Sequence, residues 1–230
     1  MDPRADGLPR PRAVVLDLDG TLVDTVETRI RAWLAVFAEF GIPATHAQVA
    51  PLIGSDGRRL AREVAAADGR SLPDGGDEEI DRRSGEIYGR LNRAPRPLPG
   101  ATAFLDALDE RGIPWAIATS SRREQVAASV LALQRGSSAQ VIDGSHVAHA
   151  KPAPDLLLRA AEELGVPPEV CWYVGDSTWD MRAAVAAGMI AVAVTAGAAV
   201  SEGELREAGA AHVVSTLGDL VPQLAPGPVA

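Results

Sequence analysis

"VVLDLDGTLVDT", residues Val14 to Thr25, decides the reading of this chain. An apolar run ends in two carboxylates, Asp17 and Asp19, and Gly20-Thr21 follows at once. Asp and Gly are common where a strand stops, because Asp bonds nearby backbone groups and Gly accepts positive φ. Residues i and i+2 of a strand face the same side, however, and two neighbouring carboxylates repel unless a cation or a shared proton relieves them. A hard, oxygen-ligating divalent ion such as Mg²⁺ would do so, and its other ligands must come from later in the chain.

The 230 residues suffice for one sizeable domain or for a core with an inserted subdomain. Hydrophobic residues make up 47% and charged residues 23%, an ordinary globular composition rather than a disordered one. A net charge of −9 argues against nucleic acid as a partner, which would call for a basic face. No apolar stretch approaches a membrane span, and the opening "MDPRADGLPRPR" lacks the apolar core of a signal peptide. The expectation is a cytoplasmic protein with no membrane partner. A single cysteine, Cys171, excludes an internal disulfide, and its apolar setting predicts a packed thiol. Of the 22 basic residues all but one are Arg; the exception is Lys151. A position that keeps Lys in such a chain points to a need for a compact ammonium, since the two side chains are not interchangeable.

After "AVVLDLD", a buried strand, "VETRIRAWLAVFAEFG" carries Val26, Ile30, Trp33, Leu34, Phe37 and Phe40 at helical spacing, with Gly41 as a stop. From there to about residue 95 the pattern is helical and poor in strands, and "RAPRPLPG" reads as a boundary linker. Beyond Gly100, helices and apolar strands alternate: "PWAIATS", "AQVID", "VCWYVGD", "MIAVAVT" and "AHVVS" are the strands. That alternation predicts parallel β-α units with both sheet faces covered. Ligands of such sheets bind beyond the carboxyl ends of the strands, so Asp17, Asp19, Thr119, Ser120 and Asp176 should converge on one crevice. The first dozen residues and the final "APGPVA" read as loose ends.

Four segments, "DLDGT", "ATSS", "AKPAPD" and "VGDSTWD", stand in this order. Together they resemble the haloacid dehalogenase superfamily of aspartate-nucleophile phosphotransferases over nearly the whole chain. The pattern is similar to the subgroup with a small helical cap, which includes phosphoglycolate-type phosphatases and β-phosphoglucomutase. The resemblance implies an α/β fold: a Rossmann-like, doubly wound parallel sheet core with an inserted helical cap. Residues 1–23 and 96–230 would form the core, and residues 24–95 the cap.

It also implies roles. Asp17 would be the nucleophile and Asp19 the general acid and base. Mg²⁺ would be held by the Asp17 carboxylate, the Asp19 carbonyl and Asp176, with Asp180 behind them or on a metal-bound water. Thr119 and Ser120 would bind phosphoryl oxygens, with help from the helix-start amides of Ser121 and Arg122. Lys151 would neutralise the nucleophile and the transferring phosphate, where a point charge suffices. The partner would be a small phosphate ester, with Arg58 of the cap as a candidate substrate contact beside Ser55, Asp56 and Arg59. His146 and His149 read as solvated loop histidines, and Trp172 and Trp179 as packing.

Hydrolysis is the expected reaction. Halide-displacing relatives typically lack the second aspartate, and phosphonate cleavage needs a cap lysine that residues 24–95 do not contain. Phosphomutation of the β-phosphoglucomutase type is the enzymatic alternative, although Arg29 stands where that mutase carries a histidine. A non-catalytic module binding phosphorylated ligands is the second alternative.

Overall fold

A computed structural model describes residues 8–136, 139–144, 147 and 149–224. The first strand, β1 (Ala13–Leu16), forms where the sequence is an unbroken apolar run, and all four residues are buried. Period-2 alternation then splits them: Val14 and Leu16 join one core cluster, Ala13 and Val15 the other. Four α-helices follow up to residue 91: α1 (Val26–Glu39), α2 (His46–Val49), α3 (Gly57–Ala67) and α4 (Gly76–Leu91). They surround a third cluster of their own, built on Val26, Ile30, Val36, Phe37, Leu60, Val64 and Ile80. This is the inserted helical cap. Its two connections to the core run side by side, with the Asp24 N–H donating to the Arg96 carbonyl and the Leu98 N–H to that of Leu22, both at 2.9 Å.

The remainder alternates as the sequence predicts: α5 (Ala101–Glu110), β2 (Trp115–Ala118), α6 (Arg123–Ala132), β3 (Val141–Ile142), α7 (Asp155–Leu164), β4 (Cys171–Gly175), α8 (Thr178–Ala187), β5 (Ile190–Val194), α9 (Glu202–Glu207) and β6 (His212–Val214). Among the described residues six strands make one sheet in the order β3-β2-β1-β4-β5-β6, and every pairing is parallel. This is a Rossmann-like order, with β1 beside β4 where the winding direction reverses. One face is covered by α5, by Val126 of α6 and by a 3₁₀ helix over Leu217–Leu224; α7, α8 and α9 cover the other.

The expectation of a loose first dozen residues needs correcting. Leu8 packs against the core, Pro11 is buried, the Trp172 indole N–H donates to the Pro9 carbonyl at 2.8 Å, and Arg12 N–H donates to the Val170 carbonyl at 2.9 Å. The backbone pairs here because β1 and β4 are neighbours. Residues 1–7 and the final "APGPVA" lie outside the described residues. Among the described residues no helix is long and apolar enough to cross a membrane. Cys171 is buried as expected, and burial pushes its thiol up to about 11.

The separate cap cluster generates a prediction. Phe37 is fully buried there, its ring 5.6 Å from that of Trp33. Phe37→Ala should cost about 3–5 kcal/mol in denaturant unfolding, the usual range for an emptied aromatic site. A loss below about 1 kcal/mol would show that the cap relaxes into the cavity.

Candidate active site

The strand ends converge. Asp17 follows β1, Thr119 follows β2 and Asp176 follows β4, and all three are buried in the wall of a cavity of about 230 Å³. Asp19, Ser120 and Ser177 line it from the core, and Arg29, Trp33, Leu60 and Asp81 from the cap. That volume is below the roughly 300–1,000 Å³ of sites for drug-sized ligands, and suits a small one.

Gly20 makes the crowding possible. Its φ of +83° is open to glycine, and a Cβ there would collide with the Asp176 carboxylate. The chain can then turn back at once, the Gly20 N–H donating to the Val23 carbonyl at 2.8 Å.

Behind the cavity wall lies a buried ionic cluster. Lys151 is 1% exposed, and its ammonium stands 2.5 Å from Asp17 Oδ1 and 2.8 Å from Asp180 Oδ1. Burial works against its charge, but Asp17 and Asp180 more than offset that and raise the Lys151 pKa. Asp180 is saturated: Ser177 N–H and O–H donate to its Oδ2, and the buried Tyr173 hydroxyl donates to Oδ1 at 2.7 Å. Burial opposes its charge as well, and Lys151, Ser177 and Tyr173 hold its carboxyl below the usual range.

Asp17 and Asp176 are in the opposite condition. Burial, opposed by Lys151 and reinforced by Asp180, pushes Asp17 up to about 7. Asp176 is driven well above its ordinary value by burial and by Asp180 and Asp17. Its Oδ1 accepts from Thr21 at 2.9 Å, while neither Asp176 Oδ2 nor Asp17 Oδ2 has a hydrogen bond among the described residues. The oxygens of Asp17, Asp176 and Asp180 can lie within 4.8 Å of one another. An all-oxygen set, under-compensated and with two open carboxylate oxygens, fits a hard divalent cation. Asp180, with every acceptor position taken, fits the role of holding Lys151 and Ser177 better than direct ligation.

Asp19 is gripped on all sides. Its Oδ1 accepts from Thr25 at 2.6 Å and from Tyr88 at 2.9 Å; its Oδ2 accepts from Arg29 Nε and Nη2 at 3.0 and 2.7 Å. Burial raises its pKa, but Arg29 and these hydrogen bonds prevail and leave it lowered. Sequence reasoning missed Thr25, Tyr88 and Tyr173, and noted Arg29 only as a difference. Arg29 and Tyr88 both flank apolar helical stripes, a weak signal that they face inward.

The remaining expected residues divide. Thr119 and Ser120 reach the cavity, but the Ser121 N–H already donates to Thr119 Oγ1 at 3.2 Å and the Arg122 N–H to Gln125 at 3.3 Å. Those two amides are therefore engaged rather than open to a phosphate. Arg58 lines the cavity beside Asp56, 3.5 Å away, whereas Arg59 pairs with Glu63 at 2.7 Å and stacks on Trp179. Trp172 and Trp179 are packing residues, the latter donating to the Pro51 carbonyl of the cap at 2.9 Å. His149 is exposed and pairs with Asp155 at 2.9 Å; His146 lies outside the described residues.

Residues 11–188 match the family model of haloacid dehalogenase-like hydrolases. Over 183 residues the chain is 38% identical to phosphoglycolate phosphatase of Xylella fastidiosa, covering 78% of each chain. It is 31% identical over 196 residues to N-acetylmuramic acid 6-phosphate phosphatase of Pseudomonas aeruginosa, covering 82% of this chain and 83% of the other. A hydrolase of Pseudomonas syringae superimposes with a TM-score of 0.87 at 31% identity, over 92% of this chain and 97% of that one.

The carboxylates give a pH prediction. Asp17 and Asp176 have raised folded-state pKa values, whereas both titrate near 4 when unfolded. Folding without metal then takes up protons, so their contribution is full at low pH and lost as pH rises through the folded values. The melting temperature of metal-free protein should fall between about pH 5 and pH 8, and less steeply in Asp176→Asn. Asp19, held low, acts in the opposite sense only around pH 4 and below. A divalent cation should flatten the fall, because it binds the deprotonated carboxylates. Equal slopes in wild type and variant, read by thermal denaturation, would refute this account.

Proposed function

The chain belongs to the haloacid dehalogenase-like hydrolases, and from that premise we propose that it is a Mg²⁺-dependent phosphatase of small phosphate esters acting through an aspartyl-phosphate at Asp17. The observation that carries this reading is the pairing of two differently treated carboxylates at one strand end. Asp17 touches an ammonium and has an oxygen to spare; Asp19 is held by donors from Thr25, Arg29 and Tyr88 within reach of the same cavity.

In the first step an Asp17 oxygen bonds to phosphorus while the ester P–O bond breaks, and Asp19, once it has left Arg29 and taken up a proton from solvent, gives that proton to the departing oxygen. In the second, Asp19 takes a proton from water, the water oxygen attacks phosphorus, and the Asp17–phosphorus bond breaks. Lys151 balances the charge on Asp17 throughout, and Thr119 and Ser120 orient the phosphoryl oxygens. Asp17, the Asp19 carbonyl and Asp176 would hold Mg²⁺, with Asp180 fixing its surroundings. Once bound, the ion neutralises phosphoryl charge and relieves the repulsion between the carboxylates. The relative from Xylella fastidiosa makes 2-phosphoglycolate the first substrate to try, and the small cavity agrees with it. A cytoplasmic location fits such a metabolite.

A phosphate-release screen over phosphoglycolate, sugar phosphates and nucleotides, with Mg²⁺, tests the reading. No release from any ester would favour a binding module, and transfer of phosphate between positions of one sugar would favour a mutase.

Two variant predictions accompany it. Asp17→Asn should abolish turnover, whereas Lys151→Arg should lower it by at least about tenfold, because a planar guanidinium cannot replace an ammonium between two carboxylates. Wild-type turnover in either variant would remove that residue from the mechanism. Chelation should stop turnover, Mg²⁺ should restore it, and Ca²⁺ should not, since it takes more oxygens and would draw both Asp17 oxygens to itself.

A further inference from the structure

Arg29 is the charged wall of the cavity that this mechanism leaves unused. It rises from the first turn of α1, and its guanidinium carbon lies 3.8 Å from the centroid of the Tyr88 ring. Only 13% of the side chain is exposed. Nε and Nη2 donate to Asp19, and Nη2 also donates to Ser121 Oγ at 2.6 Å; Nη1 makes no hydrogen bond among the described residues.

The grip on Asp19 conflicts with its proposed work. To serve the ester oxygen, Asp19 must come within about 2.6–3.2 Å of it, and both of its oxygens are occupied by donors from the cap, the hinge and the core. Thr25 and Tyr88 are neutral and can turn to other acceptors. Arg29 cannot be abandoned so easily, because a guanidinium enclosed by a ring, a hydroxyl and the cavity wall would lose its counter-charge. Something anionic must take the place of Asp19. The cavity that Arg29 lines is where the leaving group of a phosphate held at Asp17 would lie.

We infer that Arg29 is a specificity-determining residue that exchanges Asp19 for a carboxylate on the leaving alcohol, so that esters of hydroxy acids are the favoured substrate class. The inference rests on the phosphatase reading above. A carboxylate matches the planar fork of the guanidinium and supplies the counter-charge that lets both Arg29 bonds to Asp19 be given up. A substrate without that anion leaves Asp19 on Arg29. Asp81, which lines the same cavity from α4, is the competing acceptor within the protein. If Arg29 passed to Asp81 instead, a substrate carboxylate would confer no advantage.

The test uses matched esters and matched non-hydrolysable analogues. 2-Phosphoglycolate and 2-hydroxyethyl phosphate differ by a carboxylate against a hydroxymethyl group, and 3-phosphonopropionate and 3-hydroxypropylphosphonate repeat that difference without a scissile bond. Wild type should prefer the carboxylate member by about tenfold or more, in kcat/KM and in calorimetric affinity, as expected for hydrogen bonds to a charged group. Arg29→Gln should bring both ratios close to one, mainly by raising KM for phosphoglycolate, and Arg29→Lys should restore part of the preference. Equal losses on both esters would mean that Arg29 acts only by positioning Asp19, and would overturn the inference. So would a wild type without preference in either pair. If no ester were hydrolysed, the phosphatase reading would fall while the two phosphonates still decided the role of Arg29.

Discussion

One buried ammonium makes the centre of this fold possible. Asp17, Asp176 and Asp180 stand together out of water, an arrangement that repulsion and desolvation would otherwise drive apart or protonate. Lys151 touches two of them, and the Tyr173 hydroxyl and the Ser177 N–H and O–H share out the remaining acceptor sites of Asp180. Each participant comes from a different place in the sheet: β1 ends at Asp17, β4 carries Tyr173, α8 begins beside Ser177, and Lys151 precedes α7. The parallel winding is what brings these ends to one edge, and the charge pairing is what keeps them there. Asp17 and Asp176 remain under-compensated, which is a structural reason to expect a cation as well as a chemical one.

How much of this was legible in the sequence follows from the range of each interaction. "DLDGT" announced a strand, a turn and two carboxylates because all three are local events within seven residues. The alternation after Gly100 announced parallel β-α units because period 2 and period 3.6 are visible in any short window. The lone lysine stood out against an arginine background, and the structure places it on Asp17. The grip on Asp19 was not legible, because Arg29 and Tyr88 reach it from two helices whose relative packing no local pattern fixes. Tyr173 was hidden for a different reason: inside an apolar strand a tyrosine reads as bulk, and only the position of Asp180 gives its hydroxyl a partner. Residues 8–12 read as loose because proline-rich segments lack periodicity, yet Trp172 on β4 supplies a donor for one of their carbonyls.

The cap and core meet through contacts of differing chemistry. The Asn92 side chain amide donates to Tyr88 at 2.8 Å and to Ser129 of α6 at 2.9 Å, tying α4 to the core through buried polar groups. On the far side Trp179 donates to Pro51 and carries Arg59 on its ring. Between them Asp19 takes donors from both bodies.

That arrangement makes cap position and the state of Asp19 a single variable. Its backbone belongs to the core loop after β1, but Arg29 and Tyr88 belong to the cap, Thr25 to the connection and Ser121 to the loop after β2. Any displacement of α1 relative to the sheet lengthens the two Arg29 bonds together, since both donors sit on one rigid guanidinium. Loss of those bonds leaves the carboxylate with only neutral donors and the guanidinium with the Ser121 hydroxyl and the Tyr88 ring. Both states leave a buried charge under-compensated unless an incoming group takes the vacated positions. Chemistry at Asp17 can therefore be common to many esters, because it is built entirely from the core. Release of Asp19 depends on what enters beside Arg29, and so on the half of the substrate that departs.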